Sequence, residues 1–362
     1  MKILTVVGAR PEFIQIAPVD RAIRRRHTQI LVHTGQHYDD SMSDTFFREL
    51  SIHEPEVNLG VGSGTHAEQT AQMLLKLEEV MLAEKPDFVV SISDTNSTLA
   101  TALTAAKLVL PLAHIEAGLR SRDRAMPEEI NRIVTDAISD VHFAPTKVAV
   151  ENLRAEGISE HVYNVGDVRM DTIMFVISDA RARLPELRAQ IRMPAGTPFV
   201  LATIHRAENT DHEDRLRRIL GVLGLVDAPV VLPVHPRLAK VMKQFGLKFS
   251  KNIVRIEPIG FLDTLALLDA SQFLITDSGG LQKEAYMLRR PAITMRSTTE
   301  WTETVDSGWN RLCEPEPDAF RAAVAAATGT LPPEHPSFYG TPGVSERIVD
   351  VLEAVKIKKG SA

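Results

Sequence analysis

The chain alternates short apolar runs with longer amphipathic stretches along most of its length. The short runs are rich in Val, Ile and Leu and show little alternation between apolar and polar positions. This pattern is typical of strands that are buried on both faces of a parallel sheet. The predicted strands are residues 2–7, 30–34, 88–92, 112–115, 162–165, 199–203, 230–234, 253–256, 273–276 and 292–295.

Helical patterns separate these runs, and the alternation of strand and helix predicts an α/β protein with mostly parallel sheets. The strands fall into two series, each about half of the chain, so we predict two Rossmann-like domains whose parallel sheets face each other across a cleft. The clearest predicted helices are residues 67–83, 97–107, 129–138, 146–156 and 345–357.

The length of the chain supports this division. Its 362 residues exceed the roughly 250–300 at which a single hydrophobic core stops growing. We predict an amino-terminal domain at residues 1–168 and a carboxyl-terminal domain at residues 169–340. Residues 341–362 contain the last helix, which we expect to pack back on the amino-terminal domain.

Composition narrows the class of protein. The formal net charge of -6 disfavours a nucleic-acid partner, since such proteins usually carry a basic excess. The single cysteine, Cys313, permits neither an intrachain disulfide nor a thiolate metal cluster. No apolar run approaches the ~18 residues of a membrane span, and the first apolar run is too short for a signal peptide. We therefore expect a cytoplasmic protein without a membrane partner.

Polar or small residues follow most of the predicted strands directly. Ligands of open α/β sheets bind outside the carboxyl ends of the strands, so these residues, drawn from both halves, point to one binding cleft. The segments are residues 8–12 (GARPE), 35–37 (GQH), 93–96 (SDTN), 116–118 (EAG), 205–206 (HR), 235–237 (HPR) and 277–280 (DSGG).

Two of these segments suit a phosphate group. Ser278, Gly279 and Gly280 precede a predicted helix, whose free N–H groups and positive dipole end favour a diphosphate. Arg10 follows the first strand, where its guanidinium can fork onto phosphate oxygens. The alternatives are an ordinary tight turn for the glycine loop and an ion pair with Glu12 for Arg10. Neither a P-loop nor a Gly-x-Gly-x-x-Gly dinucleotide motif is present.

Asp94, Glu116 and Glu128 are carboxylates at or just after strand ends of the first half. Proton abstraction from carbon needs such a base, with its pKa raised by burial or by a like charge. A helix cap remains the alternative for Asp94. A first-turn carboxylate after Pro127 remains the alternative for Glu128.

His205 and Arg206 follow a buried strand of the second half. This pair suits a phosphate or a leaving oxyanion, although a single histidine is more often structural. The sequence lacks a His-Glu-x-x-His motif, and we predict no metal site.

Taken together, these blocks resemble the non-hydrolysing UDP-N-acetylglucosamine 2-epimerases, in family order and nearly from end to end. The EAGLRS…MPEEINR block is highly specific. The matching stretches are VVGARPEFIQIAPV (6–19), HTGQHYDD (33–40), SDTNSTLATALTAAKL (93–108), AHIEAGLRSRDRAMPEEINRIVTD (113–136), FAPTKVAVENLRAEGI (143–158), VYNVGDVRMDT (162–172), ATIHRAEN (202–209), ITDSGGLQKEA (275–285) and MRSTTEWTETVDSGWN (295–310).

The resemblance implies the GT-B fold and interconversion of UDP-GlcNAc and UDP-ManNAc. The proton at carbon 2 leaves as the bond from carbon 1 to UDP breaks, and UDP is then added back after reprotonation. No redox cofactor is needed, and the implied partners are a UDP-sugar and a second copy of the chain. By position, the residues implied as catalytic are Asp94, Glu116, Glu128 and His205; those implied as UDP-sugar ligands are Arg10, Gln15, His205, Arg206, Ser278, Gly279, Gly280 and Glu284.

Two positions depart from the family pattern. Gln15 stands where a Lys is usual, and Ser93 stands where a Gly usually precedes the catalytic Asp. These departures keep open a weakened, UDP-sugar-binding paralogue. Other stretches resemble epimerases of 2,3-diacetamido uronic-acid sugars used in surface polysaccharides. A glycosyltransferase of the same fold and a hydrolysing relative are the remaining alternatives.

Overall fold

The computed structural model describes residues 1–35 and 47–357, except for the side chain of Arg10. The chain divides into two compact units. One contains Met1–Phe175 together with Ser337–Ala362, and the other contains Val176–Pro336. Within the described residues, no helix is both long and apolar enough to cross a membrane.

The first unit contains a seven-stranded parallel sheet in the order β3-β2-β1-β4-β5-β6-β7. The strands next to the centre are buried on both faces, as the apolar runs predict. The strands are β1 (Lys2–Val7), β2 (Thr28–His33), β3 (Val57–Asn58), β4 (Phe88–Ile92), β5 (Leu112–Ile115), β6 (Val141–Ala144) and β7 (Val162–Asn164).

Helices connect these parallel strands, and the last helix of the chain packs against the first, α1. Arg25 and Arg26 at the end of α1 form ion pairs with Glu346 and Asp350. The helices that lie wholly or partly in this unit are α1 (Arg10–Arg26), α2 (His66–Glu84), α3 (Asn96–Lys107), α4 (Pro127–Ile138), α5 (Lys147–Ala155), α6 (Arg169–Gln190) and α14 (Val344–Ala354).

The second unit contains a six-stranded parallel sheet in the order β10-β9-β8-β11-β12-β13. Its core packs strand residues such as Val230 and Ile275 against helix residues such as Leu216 and Phe320. The elements are β8 (Val200–Thr203), α7 (Ala207–Thr210), α8 (Glu213–Leu223), β9 (Val230–Pro233), α9 (Pro236–Gln244), β10 (Ile253–Ile256), α10 (Phe261–Ala270), β11 (Leu274–Thr276), α11 (Gly279–Met287), β12 (Ala292–Thr294), α12 (Thr302–Asp306), β13 (Asn310–Leu312) and α13 (Pro317–Thr328).

The two sheets confirm the predicted class of two Rossmann-like domains. All ten predicted strands are present, whereas β3, β6 and β13 were not predicted. Their sequences, Val-Asn, Val-His-Phe-Ala and Asn-Arg-Leu, contain a polar residue and lack the run of Val, Ile and Leu on which the prediction relied. The predicted boundaries at 168/169 and 340/341 also differ from the observed ones at 175/176 and 336/337. The first differs because α6 continues from one unit into the other.

Candidate active site

The candidate site residues predicted from the sequence lie in loops at equivalent positions of the two sheets. Each sheet reverses its winding once, between β1 and β4 in the first unit and between β8 and β11 in the second. Doubly wound sheets bind ligands at this point, beyond the carboxyl ends of the strands. The loops there are residues 8–12 and 93–95 in the first unit, and residues 205–206 and 277–280 in the second.

Asp94 follows β4 and is held by two residues of α4. Arg132 Nη1 lies 2.5 Å from Asp94 Oδ2, and Asn131 Nδ2 donates to the Asp94 carbonyl oxygen at 2.8 Å. About 25% of the Asp94 side chain stays exposed. The cap of α3 is Thr95, whose hydroxyl accepts from backbone N–H groups. The capping alternative for Asp94 is therefore wrong, and its carboxylate is open towards solvent beside a fixed cation.

Glu128 and Glu129 begin α4, but their surroundings differ. Glu128 is exposed and lies on the same helix face as Asn131 and Arg132, one turn further on. Glu129 is 2% exposed and accepts from Ser121 N at 2.9 Å and from Arg132. Burial raises the pKa of Glu129, but backbone hydrogen bonds and the Arg132 charge outweigh it and hold the pKa below its ordinary value. Glu128 thus faces solvent, whereas Glu129 organises the loop.

Glu116 follows β5, on the strand beside Asp94. Gln15 Nε2 donates to Glu116 Oε2 at 2.7 Å. Gln15 is only 1% exposed. Its side-chain amide lies against Glu116, a candidate catalytic carboxylate. The structure therefore brings Asp94, Glu116 and Gln15 together at neighbouring strand ends.

Ser93 and Glu116 both have left-handed backbone. Their φ angles are 69° and 76°, a region that is unfavourable for residues with a β-carbon. Ser93 N donates to the Ile115 carbonyl oxygen at 3.2 Å, so the two strained positions are neighbours across the sheet. The conformation explains why a Gly is usual at the position of Ser93, since Gly adopts it without strain.

Glu12 is a buried residue of the site that was not predicted. Its Oε2 accepts from Gly8 N at 2.6 Å and from Ala9 N at 2.8 Å. Its Oε1 accepts from the hydroxyl of Thr95 at 2.5 Å. Burial raises the pKa of Glu12 to about 7, although the hydrogen bonds lower it. The only sequence signal was its place at the third helical position, where a carboxylate reaches back to free N–H groups.

Two sequence predictions fall on parts that the structure does not describe. Arg10 begins α1, but its side chain lies outside the described residues, as do Gln36 and His37. Among the residues that are described, no group of three His, Cys, Asp or Glu side chains is arranged to hold a metal ion.

In the second unit, Ser278 caps α11 and its hydroxyl accepts from Leu281 N at 3.5 Å. Gly279 and Gly280 form the first turn of α11. A β-carbon at Gly279 would collide with the carboxylate of Glu300. The absence of a side chain at position 279 thus leaves room for the carboxylate of Glu300 against the first turn of α11.

Asp277 organises the other loop of the second unit and was not predicted to do so. It is 0% exposed and accepts from the backbone N–H groups of His205 and Arg206, each at 3.0 Å. Asn209 Nδ2 donates to it at 3.1 Å, and His205 Nδ1 lies 3.2 Å from it. The His205 side chain is 39% exposed, so Asp277 orients a ring that remains accessible.

Glu284 lies two turns into α11 and is 3% exposed. The structure therefore places Ser278, Gly279, Gly280, His205 and Arg206 around the β8 and β11 ends, with Glu284 behind them. Oriented N–H groups and cationic side chains at such a position can stabilise a diphosphate.

Comparison with known proteins gives consistent results. The family model described as UDP-N-acetylglucosamine 2-epimerase matches residues 21–353. A Methanococcus maripaludis protein named UDP-N-acetylglucosamine 2-epimerase homolog is 46% identical over 316 residues, which are 86% of this chain and 88% of that protein. The UDP-2,3-diacetamido-2,3-dideoxy-D-glucuronate 2-epimerase of Pseudomonas aeruginosa is 45% identical over 360 residues, 97% of this chain and 99% of that protein.

A crystal structure of the Methanocaldococcus jannaschii UDP-GlcNAc 2-epimerase, in complex with UDP-GlcNAc and UDP, is similar to this chain with a TM-score of 0.89 and 40% identity. The similarity covers 98% of this chain and 100% of that one.

Proposed function

The chain belongs to the UDP-N-acetylglucosamine 2-epimerase family, and we propose that it interconverts UDP-GlcNAc and UDP-ManNAc without hydrolysis. The observation that carries the proposal is the placement of Asp94 and Glu116 on neighbouring strand ends, with Arg132 fixed beside Asp94. Two carboxylates that reach opposite faces of the same sugar carbon would remove a proton from one face and return one to the other.

The proposed reaction balances without an external oxidant or reductant. A base removes the proton from carbon 2, and the electron pair of that C–H bond forms a double bond between carbons 1 and 2. The bond from carbon 1 to the UDP oxygen breaks, and its electron pair leaves with UDP. Reprotonation of carbon 2 from the opposite face and return of UDP to carbon 1 give the epimer.

Asp94, Glu116 and Glu128 are the proposed acid and base groups. Arg132 and Gln15 lie beside the first two of them and fix the orientation of their carboxyl groups.

The second unit supplies the proposed grip on UDP. The first N–H groups of α11, together with His205 and Arg206, would stabilise the charge that develops on the diphosphate as the bond to carbon 1 breaks. Glu284 would hold the ribose hydroxyls. Arg10 would add a phosphate contact, an assignment that rests on the sequence motif.

A 2-epimerase of a UDP-2,3-diacetamido uronic-acid sugar is the second candidate. It is supported by the Pseudomonas aeruginosa relative with that name, which aligns with 97% of this chain. Either activity would suit a cytoplasmic homodimer that supplies surface-polysaccharide synthesis, and we include that role in the proposal.

The experiment is an exchange assay in deuterated water. The purified protein is incubated with UDP-GlcNAc or with UDP-2,3-diacetamido-2,3-dideoxy-D-glucuronate, and the products are separated and examined by NMR. We expect one substrate to give its epimer with deuterium at carbon 2. An epimer without deuterium would refute the proton-exchange step, free N-acetylmannosamine would indicate hydrolysis, and no turnover of either sugar would contradict the proposal.

A further inference from the structure

His114 lies on β5, two residues before Glu116, and is completely buried. Its Nδ1 is 2.6 Å from Asp136 Oδ1, and its Nε2 is 2.8 Å from the carbonyl oxygen of Ser93. Both partners are hydrogen-bond acceptors. The ring therefore bridges α4 and the residue that precedes Asp94.

Asp136 connects the same ring to the second catalytic loop. Its Oδ2 accepts from Gly118 N at 3.0 Å and from Arg120 Nη1 at 2.8 Å. Burial alone would raise the pKa of Asp136, but the charges and hydrogen bonds of His114 and Arg120 outweigh it and lower that pKa. The Asp136 carboxyl group thus holds the amide of Gly118, which lies two residues after Glu116.

The two loops that His114 and Asp136 hold each contain a residue with strained backbone. Ser93 and Glu116 have φ angles of 69° and 76°, and such backbone persists only where the surrounding structure imposes it. The hydrogen bond to the Ser93 carbonyl oxygen holds one loop, and the hydrogen bond from Gly118 N holds the other. A single buried pair thus contacts the backbone just before Asp94 and just after Glu116.

We propose that His114 and Asp136 are positioning residues that hold Asp94 and Glu116 in their reactive geometry. This inference rests on the proposed 2-epimerase function and adds to it two residues that touch no substrate. Misplacement of catalytic groups by about 1 Å can cost on the order of 10²-fold in rate, so loss of the bridge should lower turnover much more than it lowers affinity.

His142 offers a matched control. It is the neighbour of His114 across the sheet, on β6, and it is 2% exposed. Its Nε2 also bonds to Asp136, but to the main-chain carbonyl oxygen, at 2.8 Å. The contacts of His142 involve neither Ser93 nor Gly118, so its replacement disturbs the core without releasing the two loops.

The test compares His114→Gln with His142→Gln in the full-length protein. We expect His114→Gln to lower kcat by about 10- to 100-fold, with KM and the Kd for UDP within about twofold of wild type. We expect His142→Gln to keep kcat within about twofold of wild type, even if its Tm falls by as much as the Tm of His114→Gln. Equal losses of kcat in the two variants, or a loss in His114→Gln that appears only as a raised KM, would overturn the proposal.

Amide hydrogen exchange provides a readout that is independent of activity. His114→Gln should accelerate exchange in residues 93–95 and 117–119, and His142→Gln should not; unchanged protection in both segments would also overturn the proposal.

If His114→Gln does not fold, His114→Gln combined with Ser93→Gly removes strain at one loop and is measured in its place. The wild-type protein could fail to incorporate deuterium at carbon 2 while the two variants still differ in amide hydrogen exchange as expected. That result would count against the proposed function and not against the positioning role.

Discussion

In each unit, a buried carboxyl group connects two loops that follow neighbouring strands, but the carboxyl group comes from a different one of the two loops. In the first unit, Glu12 comes from the helix after the first strand and reaches forward to Thr95, beyond the fourth strand. In the second unit, Asp277 comes from the end of the fourth strand and reaches back to the backbone of His205 and Arg206, beyond the first strand. Each carboxyl group ties together the two loops at the point where its sheet reverses.

The difference lies in the donors. Glu12 is bonded by neutral groups, the amides of Gly8 and Ala9 and the hydroxyl of Thr95, and burial raises its pKa to about 7. Asp277 also has the ring of His205 at 3.2 Å. The comparison teaches that one fold can organise the strand-end loops of both of its sheets with the same device, a buried carboxyl group that accepts hydrogen bonds from backbone N–H groups.

The largest expected effect separates the roles of the units. Asp94→Asn removes a proposed proton-transfer group while keeping its shape, so we expect kcat to fall by about 10²- to 10⁴-fold. The Kd for UDP should stay within about twofold, because Asp94 is not among the proposed diphosphate contacts. Steady-state kinetics and calorimetry with UDP measure the two quantities. Asp123→Asn, on an exposed neighbouring loop, is the control; equal losses of turnover and UDP affinity in Asp94→Asn would refute its role.

The next effect concerns the second unit. Asp277→Asn replaces an acceptor of backbone N–H groups with an amide that can accept through only one atom. Hydrogen bonds to a charged group contribute about 1.5–3 kcal/mol each, so we expect the free energy of unfolding to fall by about 3–4 kcal/mol and UDP binding to weaken. Denaturant unfolding and UDP calorimetry measure these changes. The fully exposed Asp318 gives the control Asp318→Asn, and similar losses in both variants would contradict the role of Asp277.

The raised pKa of Glu12 predicts that the stability of the protein falls as the pH rises. Its folded-state pKa is raised from 4.5 to about 7, so its contribution to stability is complete below about pH 4.5 and is lost as the pH rises through about 7. Relative to Glu12→Gln, which does not titrate, wild type should lose roughly 2–3 kcal/mol of unfolding free energy across this window.

Urea unfolding of both proteins at a series of pH values measures this difference. Glu129→Gln is the control with the opposite sign. The pKa of Glu129 is lowered, so its contribution is present above about pH 4.5 and is lost as the pH falls. A wild-type to Glu12→Gln difference that is constant across the window would show that Glu12 does not titrate there.

The smallest expected effect concerns backbone strain. Ser93→Gly should raise the free energy of unfolding by about 1 kcal/mol, because Gly adopts a φ of 69° without the cost of a β-carbon. Ser93→Ala keeps the β-carbon and should give no such gain. Thermal and urea unfolding compare the two variants, and equal stability of both would rule out strain at Ser93.

Much of the fold could be predicted from the sequence, because its signals are local. Runs of Val, Ile and Leu reveal buried strands, and all ten runs predicted as strands are strands. The position of Asp94, Glu116, His205 and Ser278 just after such runs also follows from the sequence, since parallel strands place their carboxyl ends at one edge. The strand Val141–Ala144 was missed because His142 interrupts its apolar run.

The contacts that organise the site were decided only by tertiary structure. Nothing in the Pro-Glu-Glu segment indicates that Glu129 is buried while Glu128 is exposed. Arg132 meets Asp94 across 38 residues, and Asp277 meets His205 across 72. The sequence by itself determined which segments become strands and which residues follow them. The order of strands in each sheet determined which of those residues become neighbours, because hydrogen bonds and ion pairs act only over a few ångströms.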